Sequence, residues 1–220
     1  FPRQVEAASI IRISQVYGGG GNSGASLKND FIELFNAGDA PVDINGWSVQ
    51  YASSSGTSWK VTTLTGSIPT GAYYLVQEAQ GAGGTTPLPT PDATGNIAMS
   101  ASNGKVALVD STTALSGSCP AGVVDFVGYG SANCYEGSGA TPALSNTTAA
   151  LRNSGGCDDT DDNSADFSTG TPDPRNSDSP TNSCGPAPVA EPVINEFVFN
   201  HVGTDTNEYI EIYGDPETDY

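Results

Sequence analysis

Apolar residues in this chain recur in short runs that alternate with polar ones and are closed by clusters of Gly, Pro, Asn and Ser. Alternation at period two sends successive side chains to opposite faces of a strand, and the punctuating residues supply turn geometries. The first run carries Ile11, Ile13 and the Val16-Tyr17 pair; the second, DFIELF, sets Phe31, Glu33 and Phe35 on one face and Ile32 and Leu34 on the other. GWSVQYA, SWKVTTL, AYYLVQEA, KVALVD and VVDFVGYG follow, and no amphipathic helix interrupts them. The pattern predicts an all-β chain built as an antiparallel β-sandwich.

The size and charge fit that reading. A chain of 220 residues suits one good domain with an appendage. A core of about 150 ordered residues would bury roughly 70% of its unfolded surface. The formal charge is −18, from 25 acids against 7 Lys and Arg, and from Gly185 onward eight acids stand against no Lys or Arg. Phosphate backbones are bound by Lys and Arg, which displace counterions, so direct nucleic-acid binding is not expected. No apolar run approaches the roughly 20 residues that span a bilayer, so membrane insertion is not expected either. The chain starts at Phe1 without Met, the mark of a processed precursor or of a segment of a longer protein. Four Cys, one Met and few Lys fit an extracellular or cell-surface protein.

The cysteines are Cys119, Cys134, Cys157 and Cys184, which allow three pairings. Sequential pairing closes loops of 15 and 27 residues flanked by Gly, Pro or Ser. Each such closure contributes about 3 kcal/mol in the chain-entropy model. We expect Cys119 with Cys134 and Cys157 with Cys184. The rival is a zinc site, but structural zinc thiolates come as close pairs such as C-x-x-C, and none is present.

The stretch IRISQVYGGGGNSGASLKNDFIELFNAGDAPVDINGWSVQY resembles the lamin tail domain family. The likeness lies in a strand with a polar pair, a variable loop, DFIELFN, a Gly-containing turn and VDINGW. VVDFVGYGSANCYEGSGATPALSNTTAALRN and GCDDTDDNSADFSTGTPDPRNS resemble the continuation in secreted bacterial members, so the likeness covers most of residues 8–184. It implies an immunoglobulin-like sandwich.

Near the other end, VINEFVFNHVGTDTNEYIEIYG repeats the opening pattern: aligning Gln15 with Glu196 sets Glu33 on Glu211, with a loop three residues shorter. The expected organisation is a sandwich domain over 1–184, a stiff Pro/Ala linker over 185–192, and the beginning of a second lamin-tail-like repeat over 193–220. That repeat is either truncated or a strand-donating tail, because two strands alone cannot bury a core. In the second case Val193, Ile194, Phe197, Tyr209, Ile210, Ile212 and Tyr213 would pair with the sandwich edge of another copy. Such a contact is heterologous and builds filaments or rings.

Few residues offer chemistry. There is no G-x-S-x-G elbow, the only histidine is His201, and bridged cysteines leave no thiol. YGGGGNSG lacks the Lys-Ser or Lys-Thr of a phosphate loop and reads as a flexible hairpin loop. Glu33 and Glu211 stand among aromatics within strands. An acid pair can act as acid and base, but a structural role is the simpler one, with each accepting backbone or Tyr hydrogen bonds at the sandwich edge.

The sharpest motif is CDDTDDNSADF, which sets Asp159, Asp161 and Asn163 at positions one, three and five of a calcium loop, with Asp166 as a further carboxylate. Ser164 stands where that loop needs Gly, and Gly170 where it needs a bidentate Glu, so the motif is no EF-hand. Calcium or a similar cation is one expectation and a solvated acidic loop the other. Asn146-Thr147-Thr148 is a glycosylation triplet or a plain turn.

The expected function is a non-catalytic extracellular structural or binding module, whose partners are other copies of itself or other extracellular surface components. The alternative, implied by the resemblance, is the N-terminal accessory region of a larger secreted nuclease or phosphatase with its catalytic domain beyond residue 220.

Overall fold

The computed structural model of the chain describes residues 10–185, 193–198 and 209–213. Two compact units divide it, Phe1–Cys184 and Gly185–Tyr220. The first unit contains β1 (Ile11–Tyr17), β2 (Asn29–Asn36), β3 (Val42–Asp43), β4 (Ser48–Ala52), β5 (Lys60–Thr63), β6 (Ser67–Ile68), β7 (Tyr73–Gln80), β8 (Ala93–Thr94), β9 (Gly104–Val109), β10 (Asp125–Tyr129), β11 (Ala149–Arg152) and β12 (Phe167–Gly170). One sheet has the order β12-β11-β1-β2-β7-β8 and the other β10-β9-β4-β5. Among the described pairs all are antiparallel except β7 with the two-residue β8, which is parallel and departs from the wholly antiparallel expectation. Strands β11 and β12 lie outside the runs expected from the sequence, because AALR and FSTG are too short to show a period.

Period two decides what enters the core. Ile32 and Leu34 of β2 face the space between the sheets, packed with Ile11, Ile13, Val16, Val49, Val76, Val106, Leu108 and Val127. Each such aliphatic side chain contributes about 1.5–3 kcal/mol on full burial. The spacing Ile11, Ile13, Val16 breaks strict alternation, and the structure explains it. The register of β1 on β2 shifts between Ile13 and Gln15, a bulge that turns both Ser14 and Gln15 toward the outer face while Ile13 and Val16 stay inside.

The outer face of the larger sheet is covered as well, so all eight residues of β2 are buried. Tyr17, Phe31, Leu75 and Ala149 cluster there, and Phe35 lies 5.0 Å from Tyr73. The cover over Glu33 and Tyr73 is the segment 171–184, which returns from β12 across the sheet. Disulfides join Cys119 to Cys134 and Cys157 to Cys184, with Cα separations of 5.3 and 5.2 Å.

The loop after β1 is closely fitted rather than flexible, contrary to expectation. Gly20 N donates to Asp30 Oδ1 at 2.9 Å, and a Cβ on Gly20 would lie 1.9 Å from the Asn29 carbonyl carbon. Glycine is required there because two backbones touch.

In the second unit β13 (Val193–Val198) and β14 (Tyr209–Tyr213) form an antiparallel hairpin. Its register shifts between Ile194 and Glu196.

Leu34 is fully buried while Ile10 is 56% exposed. Leu34→Ala should therefore lower stability to denaturant by about 2–5 kcal/mol, and Ile10→Ala by no more than about 0.5 kcal/mol. Urea unfolding of the two variants followed by Trp fluorescence measures both.

Candidate functional site

Glu33 is the most constrained polar residue of the fold. Because β2 lies in the interior of its sheet, the carboxylate is not at the sandwich edge as expected, and it has no exposure. Its partners are Ser14 Oγ at 2.6 Å, Arg175 N at 2.7 Å and Arg175 Nη2 at 2.7 Å. Burial, the largest influence, lifts the Glu33 carboxyl, and the Arg175 guanidinium and Ser14 hydroxyl pull it back down. Arg175 also stacks 3.7 Å from the Tyr73 ring centroid and donates to Tyr73 Oη at 2.6 Å. Gln15 completes the join, exchanging 2.8 Å hydrogen bonds with the backbone of Asp173 in both directions. The bulge at Ser14 is what brings both polar residues of the pair to this carboxylate.

A second polar centre closes one end of the sandwich. Arg152, at the end of β11, is buried and holds Asp125 at 2.9 and 3.0 Å and Asp159 at 3.0 Å, with Asp166 at 3.6 Å. Burial opposes its charge, and Asp125, Asp159, Glu136 and Asp166 together hold the guanidinium above its ordinary value. Glu136 is pushed up to about 9, by burial first and then by the charge of Asp125.

Of the expected calcium ligands, Asp159 and Asp166 belong to this centre. Asp159 also meets Arg12 at 3.1 Å. Asp166 accepts from Thr160 N and Oγ1 at 2.9 and 2.7 Å, capping the turn from within. Asn163 is fully buried and fastens Gly128 N, Phe126 O and Glu136 Oε2 at 2.8, 2.9 and 3.0 Å. Asp161 adopts a left-handed φ of 54°. Among the described residues no three His, Cys, Asp or Glu side chains gather as a metal-holding group. The side-chain oxygens of Asp159, Asn163 and Asp166 face arginines, backbone donors and the Thr160 hydroxyl, a use that the spacing of the motif cannot distinguish from ion binding.

Two further buried carboxyls are held by backbone donors. Asp30 accepts from Gly20 N and Met99 N, both at 2.9 Å, and Glu78 accepts from Ile97 N at 2.8 Å. Burial is the main cause that raises each to about 7; their mutual repulsion adds to the rise of Asp30. The Thr62 hydroxyl lies against Glu78 and opposes the shift, yet Thr62 Oγ1 and Glu78 Oε1 both lack a hydrogen bond of good geometry. Sequence reasoning passed over both acids, because DFIELF and AYYLVQEA show the period but not what covers it.

An open groove of about 570 Å³ runs beside Arg175, lined also by Tyr73, Ser154, Gly155, Asp173 and Asn182. The Asn182 amide donates to Ser154 O at 2.9 Å, and the turn it holds has left-handed φ of 53° at Ser154 and 68° at Gly155. Asn146 at the glycosylation triplet donates to Ser23 O at 2.9 Å and accepts from Asn22 at 3.1 Å. His201 lies outside the described residues. So do the side chains of Val193, Ile194, Phe197, Tyr209, Ile210, Ile212 and Tyr213, for which the backbone pairing alone is described. The arginines that complete both centres went unread in the sequence. The available signal was a Pro-flanked Arg175 beside a return segment and an Arg152 that ends an apolar stretch.

A family model described as Lamin Tail Domain matches residues 4–131. No curated protein matches the chain. The matched span holds β1 to β10, whereas Arg152, Arg175 and three of the four cysteines lie after it.

Glu78 has a folded-state value near 7 against an ordinary 4.5, so the folded chain holds this proton where the unfolded chain has lost it. Its stabilising effect is complete below about pH 4.5 and disappears as pH rises through 7. Glu78→Gln should raise the melting temperature at pH 8 by roughly 2–4 °C, equivalent to about 1 kcal/mol in a domain of this size. At pH 4 the same substitution should leave melting unchanged, as scanning calorimetry at the two pH values would show.

Proposed function

The chain belongs to the lamin tail domain family, and on that premise we propose that it is a non-catalytic extracellular module that binds and assembles, joining copies head-to-tail through its C-terminal strands. The family is one of β-sandwich modules without catalytic activity of their own. Glu33, Asp125 and Asp159, the carboxylates best placed by the fold, are held by arginines and serve its cohesion. The extracellular setting is supported by two disulfides, which persist in oxidising compartments.

The observation that carries the reading is the hairpin of β13 and β14. Its sequence and register follow those of β1 and β2, the strands from which the first sandwich is built. A two-stranded hairpin is marginal in water by itself. It gains stability by adding to a sheet, where main-chain hydrogen bonds supply affinity and alternate side chains supply register. Because donor and acceptor surfaces differ, addition of one copy to the next does not close at two.

Sedimentation velocity on the 220-residue chain and on a chain ending at Cys184 tests this. The full chain should show a concentration-dependent shift to larger species and the shorter chain should stay monomeric. Two monomers at high concentration would reduce residues 193–213 to an interrupted repeat without an assembling role.

A further inference from the structure

The hairpin of β13 and β14 matches that of β1 and β2 position by position. Ile13 pairs with Leu34, the register passes over Ser14, and Gln15 meets Glu33. In the second hairpin Ile194 pairs with Ile212, the register passes over Asn195, and Glu196 meets Glu211. A slip of one residue would exchange the two faces of a strand, so a bulge at the same place fixes the same assignment of positions to faces. Glu211 therefore occupies the register position of Glu33.

In the first hairpin that position is a built site. Its glutamate is completely buried, and the charge that balances it comes from outside the hairpin, from Arg175 on the return segment. Arg175 reaches one carboxylate with both its backbone N–H and its guanidinium. Pro174 before it removes one backbone donor and fixes the local φ.

Two differences mark the second hairpin. Position 196 is a glutamate where the first hairpin has Gln15, so two glutamates occupy directly opposed register positions. Like charges in opposed positions of an antiparallel pair are destabilising. Moreover, residues 185–220 contain eight Asp and Glu but no Lys or Arg, so no fixed cation within that segment can meet them.

We propose that the β13–β14 hairpin is an acceptor for an arginine presented by polypeptide outside residues 185–220, with Glu211 taking the part that Glu33 takes toward Arg175. The partner chemistry is a guanidinium on an extended, proline-preceded segment laid across the hairpin, as Asp173–Asn176 lies across β1 and β2. Arginine suits this site better than lysine because its planar fork bridges carboxylate oxygens, whereas an ammonium is a point charge. The inference deepens the reading of residues 193–213 as an assembling element, and it rests on that reading.

Glu196→Arg in the full chain supplies the missing cation directly across from Glu211. Hydrogen exchange at pH 7 should slow by about three- to tenfold at residues 193–198 and 209–213. Glu196→Lys should slow it less, and Glu196→Ala, which only relieves repulsion, least. Exchange at residues 31–35 should stay unchanged in all three variants and serves as the internal control. Equal protection by Ala and Arg, or no protection by Arg, would overturn the proposal. If the arginine variant protects the hairpin while the unsubstituted chain sediments as a monomer, the arginine site stands and the head-to-tail reading alone fails.

Discussion

A carboxylate buried in the middle of a sheet face is the constraint around which the first unit is arranged. Glu33 is flanked in β2 by Phe31 and Phe35, so covering the aromatic surface also strips the glutamate of water. An ionised group in that position is costly unless it is paired and hydrogen-bonded. The segment 171–184 resolves the conflict, because it brings the apolar cover and the arginine together. Removing one partner of such a buried pair typically costs about 3–5 kcal/mol, since the other is left uncompensated. The return segment is thus part of the sandwich, although it contains no strand.

That dependence explains the placement of the second disulfide. The segment is tied at Asp173 to Gln15, at Asn176 to the Thr90 carbonyl and at Asn182 to Gly71 and Ser154. Hydrogen bonds of this kind contribute about 1 kcal/mol each and can fray in sequence from a free end. Cys184 ends the first unit, and its bridge to Cys157 anchors the segment at that end. The Arg152 centre fixes the other side of the same loop through Asp125, Asp159 and Asp166. The segment 171–184, rich in Asp, Ser, Pro and Asn, is the clasp of the domain.

Charge divides along the same line. In the first unit Arg12, Arg152 and Arg175 are consumed by internal carboxylates, which leaves the acidic excess to the remaining surface. Residues 185–220 are acidic without exception among their fixed charges. That acidic character is the basis of the binding role proposed for the segment, and electrostatic complementarity sets specificity and rate more than affinity.

The all-β sandwich was legible from the sequence, since alternation in DFIELF, KVALVD and VVDFVGYG reports which side chains share a face and needs no distant partner to do so. Family membership was legible for the same stretch, where local motifs carry it. The bulge at Ser14 left only a broken period between Ile13 and Val16. The calcium-like spacing of Asp159, Asp161, Asn163 and Asp166 could not disclose that Arg152 would pair with Asp159 and Thr160 with Asp166, and Glu33 could not disclose that Arg175, 142 residues away, would answer it. Local periodicity is written in neighbouring residues, whereas the pairing of buried charges depends on which distant segments share one desolvated space, and the tertiary structure alone decides that.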